Sequence, residues 1–192
     1  MTIVGILLAA GRATRFGGDK LLAPLVDGAP DVPPGTPIGV AAARHLVAAL
    51  PESIAVVRPG DTRLSAALSV TGLRVVECER ADEGMGASLA CGVAATREAE
   101  GWIIALADMP WIAASTIAKV AAALSDGSDI VAPIHRGVRG HPVGFGRRHY
   151  AALAALRGDT GARAVIERER VTLIEVTDTG VVRDVDLPAD LG

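Results

Sequence analysis

The chain has 192 residues, of which half are apolar and only 3% are aromatic, and its formal net charge is −3 at pH 7. This length is enough for one well-buried domain, spanning residues 1–192, and too short for two comfortable ones. The weak negative charge excludes a broad nucleic-acid-binding surface, because such surfaces depend on clustered Lys and Arg.

The N-terminus and the cysteines indicate the cellular setting. No apolar run approaches the length of about 18 residues that a membrane span needs, and the chain enters an apolar strand without a basic leader. We therefore expect a cytoplasmic protein with no membrane partner. Cys78 and Cys91 are the only cysteines and lack C-x-x-C spacing, so we expect two separate buried thiols rather than a disulfide or a zinc site.

The first predicted element is a strand over residues 3–8, an apolar and β-branched run typical of a central strand buried on both faces. A loop follows that carries three glycines and three cations: Gly11, Gly17, Gly18, Arg12, Arg15 and Lys20. Its backbone N–H groups and fixed positive charge are those of a polyanion site, although a glycine-rich turn is common in any α/β protein. The spacing matches neither G-x-G-x-x-G nor G-x-x-x-x-G-K-[ST], which disfavours a dinucleotide fold and a P-loop.

The middle of the chain alternates between predicted strands and helices. After a proline-rich irregular segment over residues 24–37, helices are predicted over 37–50 and 61–69 and strands over 54–57 and 73–76. This order predicts a three-layer, Rossmann-like α/β fold with a mostly parallel sheet and helices on both faces. Such sheets bind ligands at the carboxyl ends of their strands, so each loop after a strand is a candidate site.

The loop over residues 79–88 ends in Gly84-Met85-Gly86-Ala87-Ser88 and precedes a helix predicted over 89–96. Ser88 could simply cap that helix behind a flexible glycine turn. Alternatively, the loop backbone and the Ser88 hydroxyl hold a base or a ribose. One residue can serve both purposes.

Asp108 directly follows a strongly apolar strand predicted over residues 102–106. An aspartate at a strand end is often only a turn residue. A magnesium role is favoured here, because the ion that bridges nucleotide phosphates takes hard oxygen ligands and usually only one or two protein carboxylates. The next helix is predicted over 115–124 with Ser115 as its N-cap.

Three later segments carry polar residues with open interpretations. His141 lies in a loop with two arginines and could simply orient that loop before Pro142. Asp159 or Thr160 could cap the helix after the turn over 158–163, which would explain that turn completely. Short strands are predicted over 171–176, near a sheet edge, and over 180–183, before the acidic ending over 184–190.

Six of these segments together resemble the MobA-like nucleotidyltransferases, and most closely their molybdenum cofactor cytidylyltransferase branch. They are LAAGRATRFGGDKLL (8–22), GMGASL (84–89), LADMP (106–110), GHPV (140–143), GDTGAR (158–163) and DVDLPAD (184–190). The resemblance covers nearly the whole chain and implies a fold of the nucleotide-diphospho-sugar transferase type.

The resemblance also implies residue roles. Arg15, Lys20 and Asp108 are the implied catalytic residues, and Asp108 and Asp186 the implied ligands of a Mg²⁺ cofactor. The implied nucleotide-binding residues are Leu8, Ala9, Ala10, Gly11, Arg15, Lys20, Met85, Gly86 and Ser88. Arg139 and His141 are the implied contacts to the acceptor's phosphate.

The implied reaction transfers CMP from CTP to the terminal phosphate of molybdopterin and releases pyrophosphate, with a molybdoenzyme or its delivery chaperone as the implied partner. Two alternatives stay open: another nucleotidyltransferase of this fold, using GTP or a different small phosphorylated acceptor, or a non-catalytic nucleotide-binding or cofactor-delivery protein. The guanylyl branch tends to carry Ala-Gly-Gly where this chain has Ala9-Ala10-Gly11. Because Arg15 and Lys20 lie in a predicted loop, we expect that replacing either with Ala leaves stability almost unchanged. We also expect that replacing Asp108 or Asp186 with Asn raises, or does not lower, thermal stability without metal, since two nearby carboxylates repel each other.

Overall fold

The architecture comes from a computed structural model that describes residues 1–12 and 16–191. The strands are β1 (Ile3–Leu8), β2 (Ile54–Val57), β3 (Arg74–Glu77), β4 (Gly101–Leu106), β5 (Ile130–His135), β6 (Val138–Arg139), β7 (Val143–Gly146) and β8 (Thr172–Glu175). The α-helices are α1 (Ile38–Ala49), α2 (Thr62–Ser69), α3 (Met85–Ala95), α4 (Ala114–Ser125), α5 (Tyr150–Ala154) and α6 (Arg163–Ile166). None of the helices in the described ranges is both long and apolar enough to cross a bilayer.

The eight strands form one sheet in the order β3-β2-β1-β4-β7-β5-β6, with β8 beside β5. β1, β2, β3 and β4 are parallel, whereas β7 runs antiparallel to both β4 and β5. Among the strands in the described residues, β8 pairs only with β5 and so lies at an edge, as the sequence predicted. The predicted α/β class is confirmed.

Two apolar layers cover the two faces of the sheet. Helices α1, α2 and α4 pack on one face, and α3, α5 and α6 pack on the other. Successive residues of β1 alternate between the two layers, with Leu7 in the first and Ile6 in the second, and both are fully buried. This double burial explains why β1 is an uninterrupted apolar run.

Helix α3 begins at Met85, four residues before the predicted start at Leu89. Ser88 therefore lies inside the helix, and its hydroxyl donates to the Gly84 carbonyl at 3.3 Å, so the N-cap interpretation of Ser88 is wrong. The reason is a tertiary contact. Gly86 N–H donates to the Gly158 carbonyl at 2.7 Å, and a Cβ on Gly86 would lie only 2.8 Å from that oxygen. The glycine serves close packing within the helix rather than a flexible turn.

The two cysteines form a disulfide, so the expectation of separate buried thiols is wrong. Cys78 follows β3, Cys91 lies in α3, and their Cα atoms are 5.9 Å apart. Their separation of 13 residues matches no motif. The early start of α3 brings the helix back over the end of β3, which places the two residues within bonding distance.

The N-terminus of α4 is capped by a residue far away in the sequence. Asp178 Oδ2 accepts hydrogen bonds from Ala113 N–H at 2.9 Å and from the Thr116 hydroxyl at 2.7 Å, so Ser115 is not the N-cap. Asp178 Oδ1 accepts from Gly180 N–H at 2.9 Å. This turn opens a 3₁₀ helix over Thr179–Val182, where the sequence predicted a strand.

Replacing Asp178 with Ala should lower the free energy of unfolding by about 2 kcal/mol, because a cap and two further charge-assisted bonds are lost together. Urea denaturation followed by circular dichroism measures this change. Glu52→Ala, which removes an exposed carboxylate between α1 and β2, is the control and should change it by less than about 0.5 kcal/mol. Equal losses in the two variants would contradict the capping role.

Candidate active site

A cleft of about 500 Å³ opens at the edge where the parallel strands β1 to β4 have their carboxyl ends. It brings together eight of the residues predicted from the sequence: Leu8, Ala9, Ala10, Gly11, Lys20, Met85, Ser88 and Asp108. Its lining does not include Gly86, Arg139, His141 or Asp186. Arg15 lies outside the described residues, and its assignment stays a prediction.

Lys20 is a buried residue at the start of a 3₁₀ turn over Lys20–Leu22, and its side chain is only 10% exposed. Its ammonium donates to Asp108 Oδ2 at 2.7 Å and to the Val185 carbonyl at 2.7 Å. Val185 N–H in turn donates to the backbone carbonyl of Asp108 at 2.9 Å. The first loop, the loop after β4 and the C-terminal segment therefore meet at one ammonium group.

The two carboxylates predicted to hold a magnesium ion, Asp108 and Asp186, lie on segments that are in contact. Asp108 is half-buried in the cleft, and the contacts of Val185 hold Asp186, the next residue, beside the Asp108 loop. No cluster of three or more Asp, Glu, His or Cys suited to a metal occurs in residues 1–12 and 16–191. Mg²⁺ commonly takes only one or two carboxylates and completes its shell with water and substrate phosphates, which matches this donor set.

Asp190 holds the backbone that carries Asp186. Its Oδ2 accepts from Leu187 N–H at 2.7 Å and from Asp186 N–H at 3.0 Å, and these two bonds lower the pKa of the Asp190 carboxyl. The carboxylate is therefore ionised at neutral pH and keeps the turn after Asp186 closed.

The proline-rich segment over residues 24–37 and the start of α1 pack against the same C-terminal segment. Fully buried Val185 packs into a small apolar cluster formed by Leu25, Val32, Ile38 and Ala41. The Trp111 indole packs against this cluster and donates to the Gly28 carbonyl at 3.1 Å. Residues to which the sequence assigned no chemistry thus support the segment that carries Asp186.

Two charged residues of the cleft were missed from the sequence. Arg58 follows β2 directly, donates to the Ala10 carbonyl at 3.2 Å and pairs with Asp82, which also pairs with Arg12 at 2.8 Å. A signal for Arg58 was present, because the residue after a parallel strand lies at the ligand-binding edge. Nothing in the sequence indicated that Arg58 pairs with Asp82.

The two predicted acceptor contacts lie outside the cleft lining. Arg139 is exposed at the end of β6, and His141 is held by a hydrogen bond from its N–H to the Val181 carbonyl at 2.8 Å. Burial lowers the pKa of His141, an effect that the nearby Asp108 carboxylate opposes and the Arg139 guanidinium reinforces. His141 is therefore neutral at pH 7 and within electrostatic reach of Asp108. Its contact with an acceptor stays a prediction.

Comparison with known proteins finds similar chains of nearly the same length. The purine catabolism protein PucB of Bacillus subtilis is 24% identical, over 98% of this chain and 93% of PucB. The nicotine blue oxidoreductase of Paenarthrobacter nicotinovorans is 29% identical, over 96% of this chain and 92% of that protein. The crystal structure of Rv0371c from Mycobacterium tuberculosis superposes with a TM-score of 0.81 at 29% identity, covering 99% of this chain and 95% of Rv0371c. A manganese complex of Rv0371c gives a TM-score of 0.79 at 28% identity, with coverages of 99% and 96%.

The family model described as the MobA-like NTP transferase domain matches residues 5–173, a range that includes Lys20 and Asp108 and stops before Asp186. Since this match spans most of the chain, the protein belongs to the MobA-like NTP transferase family.

Proposed function

We propose that this protein is a magnesium-dependent cytidylyltransferase that joins CMP from CTP to the terminal phosphate of molybdopterin and releases pyrophosphate. The observation that carries the proposal is the Lys20–Asp108 pair in a cleft that is also lined by Ala9-Ala10-Gly11 and by Met85 and Ser88. Family membership supports nucleotidyl transfer. The choice of CTP rests on Ala10 and on the segment over residues 84–88.

Asp108 and Asp186 are the residues that would hold the magnesium ion, and the manganese complex of Rv0371c supports a divalent metal in this fold. When bound, the ion neutralises charge on the triphosphate. Because Lys20 is already fixed against Asp108, its ammonium needs no rearrangement to meet the phosphates of a bound nucleotide.

The transfer itself forms one bond and breaks one. An oxygen of the acceptor phosphate attacks the α-phosphorus of CTP, and the bond from that phosphorus to the bridging oxygen breaks, so its electron pair leaves with pyrophosphate. The acceptor oxygen is already ionised at neutral pH, so no strong general base is needed. This agrees with a cleft whose charged side chains are those of Arg, Lys and Asp.

CTP should be preferred over GTP by roughly 10²-fold or more in kcat/KM, because a pocket built for the edge of cytosine leaves polar groups unpaired with guanine. Pyrophosphate release with each of the four NTPs, Mg²⁺ and molybdopterin measures the preference. Ala10→Gly, which copies the guanylyl branch at a residue that lines the cleft, should narrow the CTP-to-GTP ratio.

The same assay separates the alternatives. Equal turnover of CTP and GTP would contradict the cytidylyl assignment, and nucleotide binding without pyrophosphate release would favour a non-catalytic binding protein. The names of PucB and of the nicotine blue oxidoreductase do not mention molybdopterin. Parallel reactions with other small phosphorylated acceptors therefore test the acceptor directly.

A further inference from the structure

Asp159 is a cleft residue to which the sequence assigned only a capping role. It lies on the turn over residues 158–161, between α5 and α6, and its side chain is exposed. Helix α6 begins at Arg163 with Ala162 at its N-cap, and no side chain bonds to that cap. The interpretation of Asp159 or Thr160 as the cap is therefore wrong, and Asp159 lines the cleft instead.

The turn is docked tightly against the start of α3. The Gly158 carbonyl accepts from Gly86 N–H at 2.7 Å, and a Cβ on Gly84 would lie only 2.1 Å from Asp159 Oδ1. On Gly161, a Cβ would lie 3.3 Å from Met85 Sδ. Glycines at these positions thus let the carboxylate rest against the N-terminus of α3, where the helix dipole favours negative charge.

Asp159 differs in its pairing from the other carboxylates of the cleft. Asp82 is paired with Arg12 and Arg58, and Asp108 with Lys20. The Asp159 carboxylate makes no hydrogen bond or ion pair with any other residue that the structure describes. A carboxylate without a cationic side-chain partner repels phosphate, so it suits an uncharged part of a nucleotide that offers hydrogen-bond donors.

We propose that Asp159 accepts a hydrogen bond from a neutral donor of the bound nucleoside, either a ribose hydroxyl or the exocyclic amino group of the base. This inference rests on the proposed function to the extent that the cleft must hold a nucleotide. It divides the cleft into two ends: Lys20 and Asp108 serve the phosphates, and Asp159 with Met85 and Ser88 serves the nucleoside.

Titration calorimetry with Mg²⁺ and without acceptor tests the assignment. The probes are CTP, 2′-deoxy-CTP, 3′-deoxy-CTP and UTP, and the proteins are the wild type, Asp159→Ala and the control Thr160→Ala, which changes an exposed neighbour on the same turn. The wild type should bind one analogue, the one that lacks the donor, more weakly than CTP by roughly 10- to 100-fold. Asp159→Ala should bind CTP as weakly as that analogue, whereas Thr160→Ala should match the wild type.

Inorganic triphosphate provides a readout that separates recognition from structural damage. Its affinity should be unchanged or higher in Asp159→Ala, because one negative charge has been removed. If Asp159→Ala weakened all four nucleotides and triphosphate alike, or weakened none of them, the recognition role would be overturned.

Pyrophosphate release by the wild type is measured separately. A wild type that binds CTP but releases no pyrophosphate with molybdopterin would overturn the proposed reaction and leave the comparison at Asp159 valid. A wild type that binds none of the four nucleotides would overturn the role of Asp159 as well.

Discussion

Replacing Asp108 with Asn is expected to lower the rate of pyrophosphate release by on the order of 10³-fold. The variant loses a proposed ligand of Mg²⁺ and, at the same atom, the anion that fixes the Lys20 ammonium at 2.7 Å. Activity should be followed over a range of Mg²⁺ and Mn²⁺ concentrations with CTP at saturation. Turnover within a few-fold of the wild type at all metal concentrations would exclude Asp108 from the metal site.

A matched control and a stability measurement accompany this variant. Asp126→Asn removes an exposed carboxylate at the C-terminal end of α4, at the opposite edge of the sheet, and should leave turnover unchanged. In metal-free buffer, Asp108→Asn should lower the free energy of unfolding by about 1–3 kcal/mol, since Lys20 is left without its charged partner. This differs from the expectation from the sequence, which considered the repulsion between two carboxylates and did not include the ion pair between Lys20 and Asp108.

Lys20→Ala is expected to lower turnover by about 10²-fold or more, because in the proposed reaction the ammonium meets charge that develops on the phosphates. It should also destabilise the protein by about 1–3 kcal/mol, since the Val185 carbonyl and the Asp108 carboxylate both lose their donor. The expectation of unchanged stability followed from the loop position of Lys20 and did not include the burial of its side chain.

The chain offers one matched control for this change, because Lys119 is its only other lysine. Lys119 is exposed on α4, and Lys119→Ala should preserve both turnover and the midpoint of thermal unfolding. Thermal unfolding and pyrophosphate release measured on the same preparations give both quantities. A Lys20→Ala variant with normal stability and normal turnover would contradict both the catalytic role and the stabilising role of Lys20.

Strands whose bounds are set by a local run of apolar residues could be predicted from the sequence. The bounds of β1 and β2 follow from apolar runs that end at polar or loop-forming residues, and both were predicted to the residue. Asp108 was assigned to the ligand edge because it follows the apolar strand β4, and it does line the cleft. In each case a single segment carries the whole signal.

The features that could not be predicted depend on contacts between segments that are distant in the sequence. The start of α3 is moved by the turn over residues 157–158, and the strand predicted over 180–183 gives way to a 3₁₀ helix because Gly180 packs against the Trp111 carbonyl, where a Cβ would lie 2.2 Å away. The burial of Lys20 and the Cys78–Cys91 bond have the same origin. In each of these contacts the two partners are separated in the sequence, and no sequence motif links them.

The bonds of Lys20 also bear on the order in which the chain folds. Lys20 meets Asp108 across 88 residues and Val185 across 165 residues. A nascent chain that has not yet released Val185 from the ribosome already contains the glycine loop and the parallel strands, yet its lysine lacks the carbonyl that fixes it. Contacts of such long sequence separation form late in folding. We therefore expect the sheet to assemble before the bonds that fix the Lys20 ammonium are complete.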